Sequence, residues 1–139
     1  MWTKTHTIEA KGITAAQVWK IWSDVSKRHL WDIETESASI VGAFERGAIM
    51  YINLKDGHKL KMELVECVPN QKFTDLYKFP LAKMYGAHSV EEIADGVRIS
   101  TTFKIEGPLS FLWRKLVVEK VAASEPEQTE LLIKLAASV

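Results

Sequence analysis

The stretch that decides the architecture is Asp95-Gly96-Val97-Arg98-Ile99-Ser100-Thr101-Thr102-Phe103-Lys104-Ile105-Glu106-Gly107-Pro108-Leu109. Val97, Ile99, Thr101, Phe103 and Ile105 make one face of it, and Arg98, Ser100, Thr102, Lys104 and Glu106 the other. That period of two is the signature of a strand with one side in the core and one in water. Asp95-Gly96 ahead of it is a strong hairpin signal, because tight hairpin turns want positive φ. Gly107-Pro108 ends it, and proline suits a first helical turn, where its missing N–H costs nothing. Beyond, Leu109, Leu112, Trp113, Leu116 and Lys120 share a helical face, with Val117 and Val121 beside it. The stripe resumes at Gln128, Leu131, Leu132, Leu135 and Val139, in phase with Val121. Pro126 interrupts it, and an interior proline costs about 3 kcal/mol. Ser124 with Glu127 would allow a helical restart, but the kept phase favours one long helix kinked near residue 125.

Moving toward the N-terminus, turn signals at Gly42 and Gly47, Asp56-Gly57, Pro69-Asn70 and Phe79-Pro80 divide the middle of the chain. They predict strands at roughly 37–44, 47–54, 58–68, 72–78, 83–93 and 97–106. The β-branched opening Trp2 to Glu9 adds a first strand, ended by Gly12. Thr14 and Gln17 have capping-box spacing, and Ala15, Val18, Trp19, Trp22 and Val25 form a helical stripe behind them. A second short turn is expected over Ser26 to Leu30. A seven-stranded sheet with two short helices after its first strand needs a cover for its apolar face, and the C-terminal segment is the only candidate.

The chain has 139 residues, 47% hydrophobic and 26% charged, which fits one soluble domain over 1–139. Eighteen basic against eighteen acidic residues argue against nucleic acid or an anionic membrane held by bulk charge. One cysteine, Cys67, rules out an intrachain disulfide. Histidines at 6, 29, 58 and 88 have no metal-ligand spacing, so no metal or cofactor is expected. No apolar run approaches a membrane span and the first residues lack a secretory leader. No membrane insertion and a cytoplasmic location are therefore expected.

Strand, two short helices, six strands and a long C-terminal helix is the order of the helix-grip fold. The sequence resembles the START / Bet v 1-like (SRPBCC) superfamily, in particular its bacterial polyketide cyclase-like small domains. The residues that carry the likeness are Ile13 to Trp19, Ser23-Asp24 with Arg28-His29-Leu30-Trp31-Asp32, Gly42 to Gly47, Val65 to Pro69, Asp95 to Ile99 and Glu106 to Leu109. The resemblance implies an α+β fold, a curved antiparallel sheet wrapped around the last helix, and a hydrophobic cavity between them. Fold kinship of this kind says little about function.

Hairpin register sharpens the expectation. With Asp95-Gly96 as a two-residue turn, Glu92 pairs with Ile99, Val90 with Thr101 and His88 with Phe103, so His88 and Glu92 point inward. The same rule at Asp56-Gly57 pairs Asn53 with Leu60, Tyr51 with Met62 and Ile49 with Leu64, turning Tyr51 and Asn53 inward and leaving Met50, Ile52 and Leu54 as a convex apolar strip. The expected ligand-binding set is Tyr51, Asn53, Met62, Leu64, His88, Val90, Thr101, Phe103, Leu112, Trp113 and Leu116, apolar walls with a few orienting polar groups. Glu92 reads better as a rim residue, Cys67 as outward and inert, and His29 with Asp32 as surface loop. A carrier or sensor of a small hydrophobic or amphipathic molecule, such as a lipid, isoprenoid or polyketide, ranks first. A cyclase or aromatase using His88, Glu92 or Tyr51 as proton-moving groups ranks second. A protein-interaction module without ligand, motivated by the Met50/Ile52/Leu54 strip, ranks third, and a monomer or homodimer is expected.

Overall fold

A computed structural model describes residues 1–139. Its seven strands are β1 (Trp2–Lys11), β2 (Thr35–Val41), β3 (Ile49–Leu54), β4 (Lys59–Val68), β5 (Lys72–Phe79), β6 (Ala82–Ile93) and β7 (Gly96–Glu106). They form one antiparallel sheet in the order β1-β7-β6-β5-β4-β3-β2. Helix α1 (Ala15–Ser23) and a 3₁₀ turn (Val25–Leu30) follow β1. The C-terminal segment comprises α2 (Ser110–Trp113), a π-helical stretch (Arg114–Val118) and α3 (Glu119–Ala137), which passes through Pro126 without a break. This is the α+β helix-grip arrangement: a curved sheet with the long helix across its hollow. No helix is long and apolar enough to cross a membrane.

Local chemistry explains the start of α1. The Thr14 side chain accepts from Gln17 N at 3.2 Å and Gln17 Oε1 accepts from Thr14 N at 2.8 Å, closing the capping box. Behind it Ala15, Val18 and Trp22 are buried against Met50, Ile52, Leu64, Phe73 and Ile99 in the main core. Each fully buried valine, leucine, isoleucine, methionine or phenylalanine side chain among them contributes about 1.5–3 kcal/mol.

The two Asp-Gly hairpins differ from expectation in different ways. At the β6–β7 turn Ile93 pairs with Gly96, so Ala94 and Asp95 are the central residues and Asp95 alone takes a positive φ, 69°. Gly96 belongs to the strand. A Cβ there would lie 1.9 Å from the Ala10 carbonyl oxygen, so this glycine lets β1 approach β7. His88 consequently pairs with Thr101 and Glu92 with Val97, a shift of two that preserves every facing. At the β3–β4 turn Leu54 N–H donates to the His58 carbonyl at 2.8 Å and Gly57 N–H to the Leu54 carbonyl at 3.0 Å. The loop is Lys55-Asp56-Gly57, with Gly57 at φ 95°, one residue longer than the two-residue reading. That single residue inverts β3. Met50 pairs with Met62 and Ile52 with Leu60, both on the core side, at 0% and 1% exposure. Tyr51 and Asn53 turn to the convex face, Tyr51 at 44% exposure and Asn53 bonded to the Ser37 hydroxyl at 2.9 Å. The supposed convex strip is core: Met50 and Ile52 are buried and Leu54 packs against them.

Two further expectations are corrected. A bulge between Leu64 and Glu66 brings Cys67 opposite Phe73, so it faces inward and packs against the core. In the C-terminal segment the residues that meet the sheet and α1 are Val118, Ala122, Glu125, Gln128, Thr129, Leu132 and Ala136, whereas Leu112 and Leu116 are 40% and 62% exposed. The π stretch adds a residue to a turn, rotating everything upstream of it by roughly 100° relative to an uninterrupted α-helix.

Candidate functional site

The sheet's inner face carries a line of polar side chains that an apolar core has no need of. His88 on β6 is 5% exposed and held in an aromatic box. Phe73, its cross-strand partner, stacks on the ring at 4.5 Å and 15°, while Trp22 and Phe103 meet it edge-on at 6.0 and 6.5 Å. The two ring nitrogens emerge from that box toward polar groups. Nδ1 lies 3.4 Å from the Thr101 hydroxyl on β7, and Nε2 lies 3.9 Å from Asp75 Oδ2 on β5.

Asp75 is 4% exposed and sits directly across from Gly86. A Cβ on Gly86 would fall 2.7 Å from Asp75 Oδ1 and 3.5 Å from His88 Nε2. The missing side chain makes the space in which the carboxyl lies, close enough to the Gly86 backbone N–H for that dipole to favour the ionised form. Burial pushes the acid up to about 6, against the pull of the Arg28 cation and with a further push from Asp32. Burial, joined by the Arg28 charge, drives His88 down to about 3, so its ring is neutral at physiological pH. At 3.9 Å the two groups are neighbours without a tight hydrogen bond.

The opposite wall completes the line. Thr129 on α3 donates to Glu125 Oε1 at 3.0 Å, and the nearby Thr101 hydroxyl favours the ionised form of the same carboxyl. Glu125 is raised chiefly by its own burial. Gln128 Nε2 donates to Asp32 Oδ1 at 3.2 Å and to the Ser124 hydroxyl at 3.0 Å. Asp32 takes Arg28 Nε at 3.0 Å, with both side chains 11% exposed, and the Arg28 guanidinium lies over the Trp31 ring at 5.1 Å. Polar contacts thus run from the 3₁₀ turn to α3, and from α3 through β7 and β6 to β5. Trp31 Nε1 and Thr35 Oγ1, buried nearby in sequence, have no partner.

Of the residues expected from sequence, Met62, Leu64, His88, Val90, Thr101 and Phe103 lie buried on the inner face. Tyr51 and Asn53 do not: both are convex. Leu112 and Leu116 are exposed. Trp113 is half-buried, stacked on Phe79 at 4.7 Å and donating Nε1–H to the Pro80 carbonyl at 2.9 Å. Glu92 is exposed at the rim, where its carboxylate accepts the first amide of α1, Ala15 N–H, at 3.1 Å, a position in which the helix dipole favours an anion. Asp32, read as surface loop, is buried at 8%. Burial, aided by Glu45, raises the Cys67 thiol, which suits an unreactive side chain. Arg28, Asp32, Asp75, Glu125 and Gln128 were missed. Asp75 had a readable signal, since aspartate is rare in strands and this one shares its facing with Phe73 and Tyr77.

No protein-family model matches the sequence, and no curated protein does. Solved structures do match. The di-domain ARO/CYC StfQ of the steffimycin biosynthetic pathway superposes with a TM-score of 0.79 at 12% identity, over 98% of this chain and 50% of that one. A hypothetical protein of Helicobacter pylori gives 0.77 at 14% identity, over 97% and 88%. Protein MLL2253 of Mesorhizobium loti gives 0.72 at 14%, over 95% and 96%. The chain thus spans about half the length of the di-domain protein. At such identities the likeness establishes a common fold, shared with polyketide aromatase/cyclases, and leaves the activity open.

Proposed function

We propose that this chain binds a small, largely apolar molecule bearing a hydrogen-bonding oxygen, between the inner face of the sheet and the C-terminal helix. The observation that carries the reading is the Asp75–His88 pair. Two titratable groups are buried on the apolar side of a sheet, 3.9 Å apart, with the acid seated in the room that Gly86 leaves. His88 Nε2 and the Asp75 carboxyl approach each other without closing a tight hydrogen bond, and leaving buried polar groups short of partners costs on the order of 1–3 kcal/mol each, a cost that a core built for stability alone has no reason to bear. A ligand hydroxyl or carbonyl bonding Asp75, His88 and the Arg28 guanidinium offsets that cost. Met62, Leu64, Val90 and Phe103 supply the apolar wall, and the chain acts as carrier or sensor.

The same pair supports a second reading, an aromatase/cyclase-type enzyme. A carboxyl raised to about 6 is able to give and take a proton near neutral pH, and the neutral imidazole beside it is able to hold a substrate oxygen by a hydrogen bond. In that case Asp75 moves the proton and His88 orients the substrate, with neither Glu92 nor Tyr51 involved. Native mass spectrometry of the full chain purified from cells tests the first reading: a co-purifying mass lost on Asp75→Asn and His88→Phe is expected, and a clean apo mass that no fluorescent fatty acid or polyketide probe alters overturns it. Turnover of a poly-β-ketone analogue that survives ligand release and disappears in His88→Phe favours the second.

A further inference from the structure

The hairpin tip between β5 and β6 is built unlike an ordinary turn. Phe79 pairs with Ala82, leaving Pro80-Leu81 as its two central residues, and Leu81 adopts φ 57°. Glycine or asparagine normally fills that left-handed position. A leucine placed there, with 65% of its surface in water, is not chosen for the turn. The adjoining α2 is tied to this tip by Leu109 N–H to the Leu81 carbonyl at 3.1 Å and by Trp113 Nε1–H to the Pro80 carbonyl at 2.9 Å. It presents Phe111 at 62% and Leu112 at 40% exposure, with Leu116 at 62% one turn on. Just behind the tip, Lys78 and Lys83 are directly opposed cross-strand neighbours, a like-charge pairing unfavourable in a sheet, with Glu106 of β7 facing Lys83 from its other side and leaving Lys78 without an acidic neighbour across the strand. A recess of about 550 Å³ opens beside them, lined also by Leu81 and Pro108. Lys115 adds an exposed cation; the acids at this end are partnered, Glu106 with Lys104 at 3.5 Å and Glu119 with Arg114 at 3.4 Å.

We propose that this end of the molecule, Leu81 with Phe111, Leu112 and Leu116 above the opposed Lys78 and Lys83, docks on an anionic lipid surface. Each feature is unfavourable in water and is answered there: the apolar side chains enter the interfacial layer, and the opposed lysines meet phosphate or carboxylate headgroups. A neutral chain is compatible with this, because the attraction is local and acts within a Debye length. The surface is independent of what the interior binds.

Co-sedimentation of the full chain with phosphatidylcholine vesicles, with and without phosphatidylserine, tests it. Binding is expected only with phosphatidylserine and falls as salt is raised. Leu81→Asn combined with Phe111→Ser should weaken it by about tenfold or more, and Lys78→Glu with Lys83→Glu should abolish the phosphatidylserine preference. Asparagine tolerates the left-handed conformation, so an unchanged melting curve for Leu81→Asn keeps a lost interaction distinct from a lost fold. Absence of vesicle binding, or binding indifferent to these substitutions, overturns the proposal. So does a concentration-dependent dimer in sedimentation velocity that the same variants dissolve, since a second copy then covers the patch.

Discussion

The two ends of the C-terminal segment are made of similar residues and behave differently. Past Pro126, Leu132 and Ala136 are 2% and 0% exposed, packed with α1 and β1 residues in the main core, and the Val139 carbonyl accepts from Gln17 Nε2 at 3.0 Å. Before Glu119, Phe111, Leu112 and Leu116 face water and the hydrogen bonding widens into a π turn. One end is a clamp; the other is a flap, tied to the β5–β6 tip through Leu109 and Trp113 but with its large apolar side chains left in water. Apolar content does not separate them. What does is whether the helical phase brings that content onto the sheet.

The largest effect that can break this contrast is at the clamp. Leu132→Ala should cost about 2–5 kcal/mol of unfolding free energy in urea titration, the usual range for an emptied core leucine. A loss as small as that of an exposed leucine would mean that α3 does not grip.

Next is the polar line between the two ends. Asp75 sits above its ordinary value in the folded state, at about 6. The folded chain therefore holds a proton that the unfolded chain releases, and its stability from this group is present below pH 4 and lost as pH rises through 6. His88 works the other way: depressed below 6.5, its neutral ring contributes stability above pH 6.5 that is lost as pH falls toward 3. The two slopes oppose one another in the native chain. Asp75→Asn should separate them, gaining on the order of 2–3 kcal/mol over the native chain at pH 7.5, with the gain gone at pH 4. Chemical denaturation at both pH values reads it, and a pH-independent difference would mean that Asp75 is ordinary.

A smaller loss, about 0.5–1 kcal/mol, is expected for Glu92→Ala, which removes the acceptor at the start of α1. Thermal melts should show it without any change in ligand binding. Smallest of all, Leu116→Ala on the flap should change stability by less than about 0.5 kcal/mol; a core-sized loss there would erase the contrast with Leu132.

Which parts of this were legible in the sequence follows from parity. Facing on β6 and β7 was readable although the partners were displaced, because a shift of two leaves each side chain on its own side. Facing on β3 was not, because Asp56-Gly57 serves equally in a two-residue or a three-residue loop, and only the backbone hydrogen bonds at Leu54 distinguish them. The cap at Thr14, the order of elements and the passage of α3 through Pro126 were all accessible to pattern. The flap was not, since one inserted residue in a π turn leaves no mark in composition. His88 was found because its strand alternates cleanly. Arg28, Asp75 and Glu125 escaped because charged residues are expected outside, and it takes three elements meeting in space to bring them in.

Gly86 sets a rule for how this domain can diverge. Its hydrogen stands where any other residue would place a carbon against Asp75. A descendant that drifts to alanine there must swing its acid aside or lose it, even with the aspartate codon untouched. The buried Asp75–His88 neighbourhood can thus be rearranged from the adjacent strand, by adding a methyl group rather than removing a carboxyl.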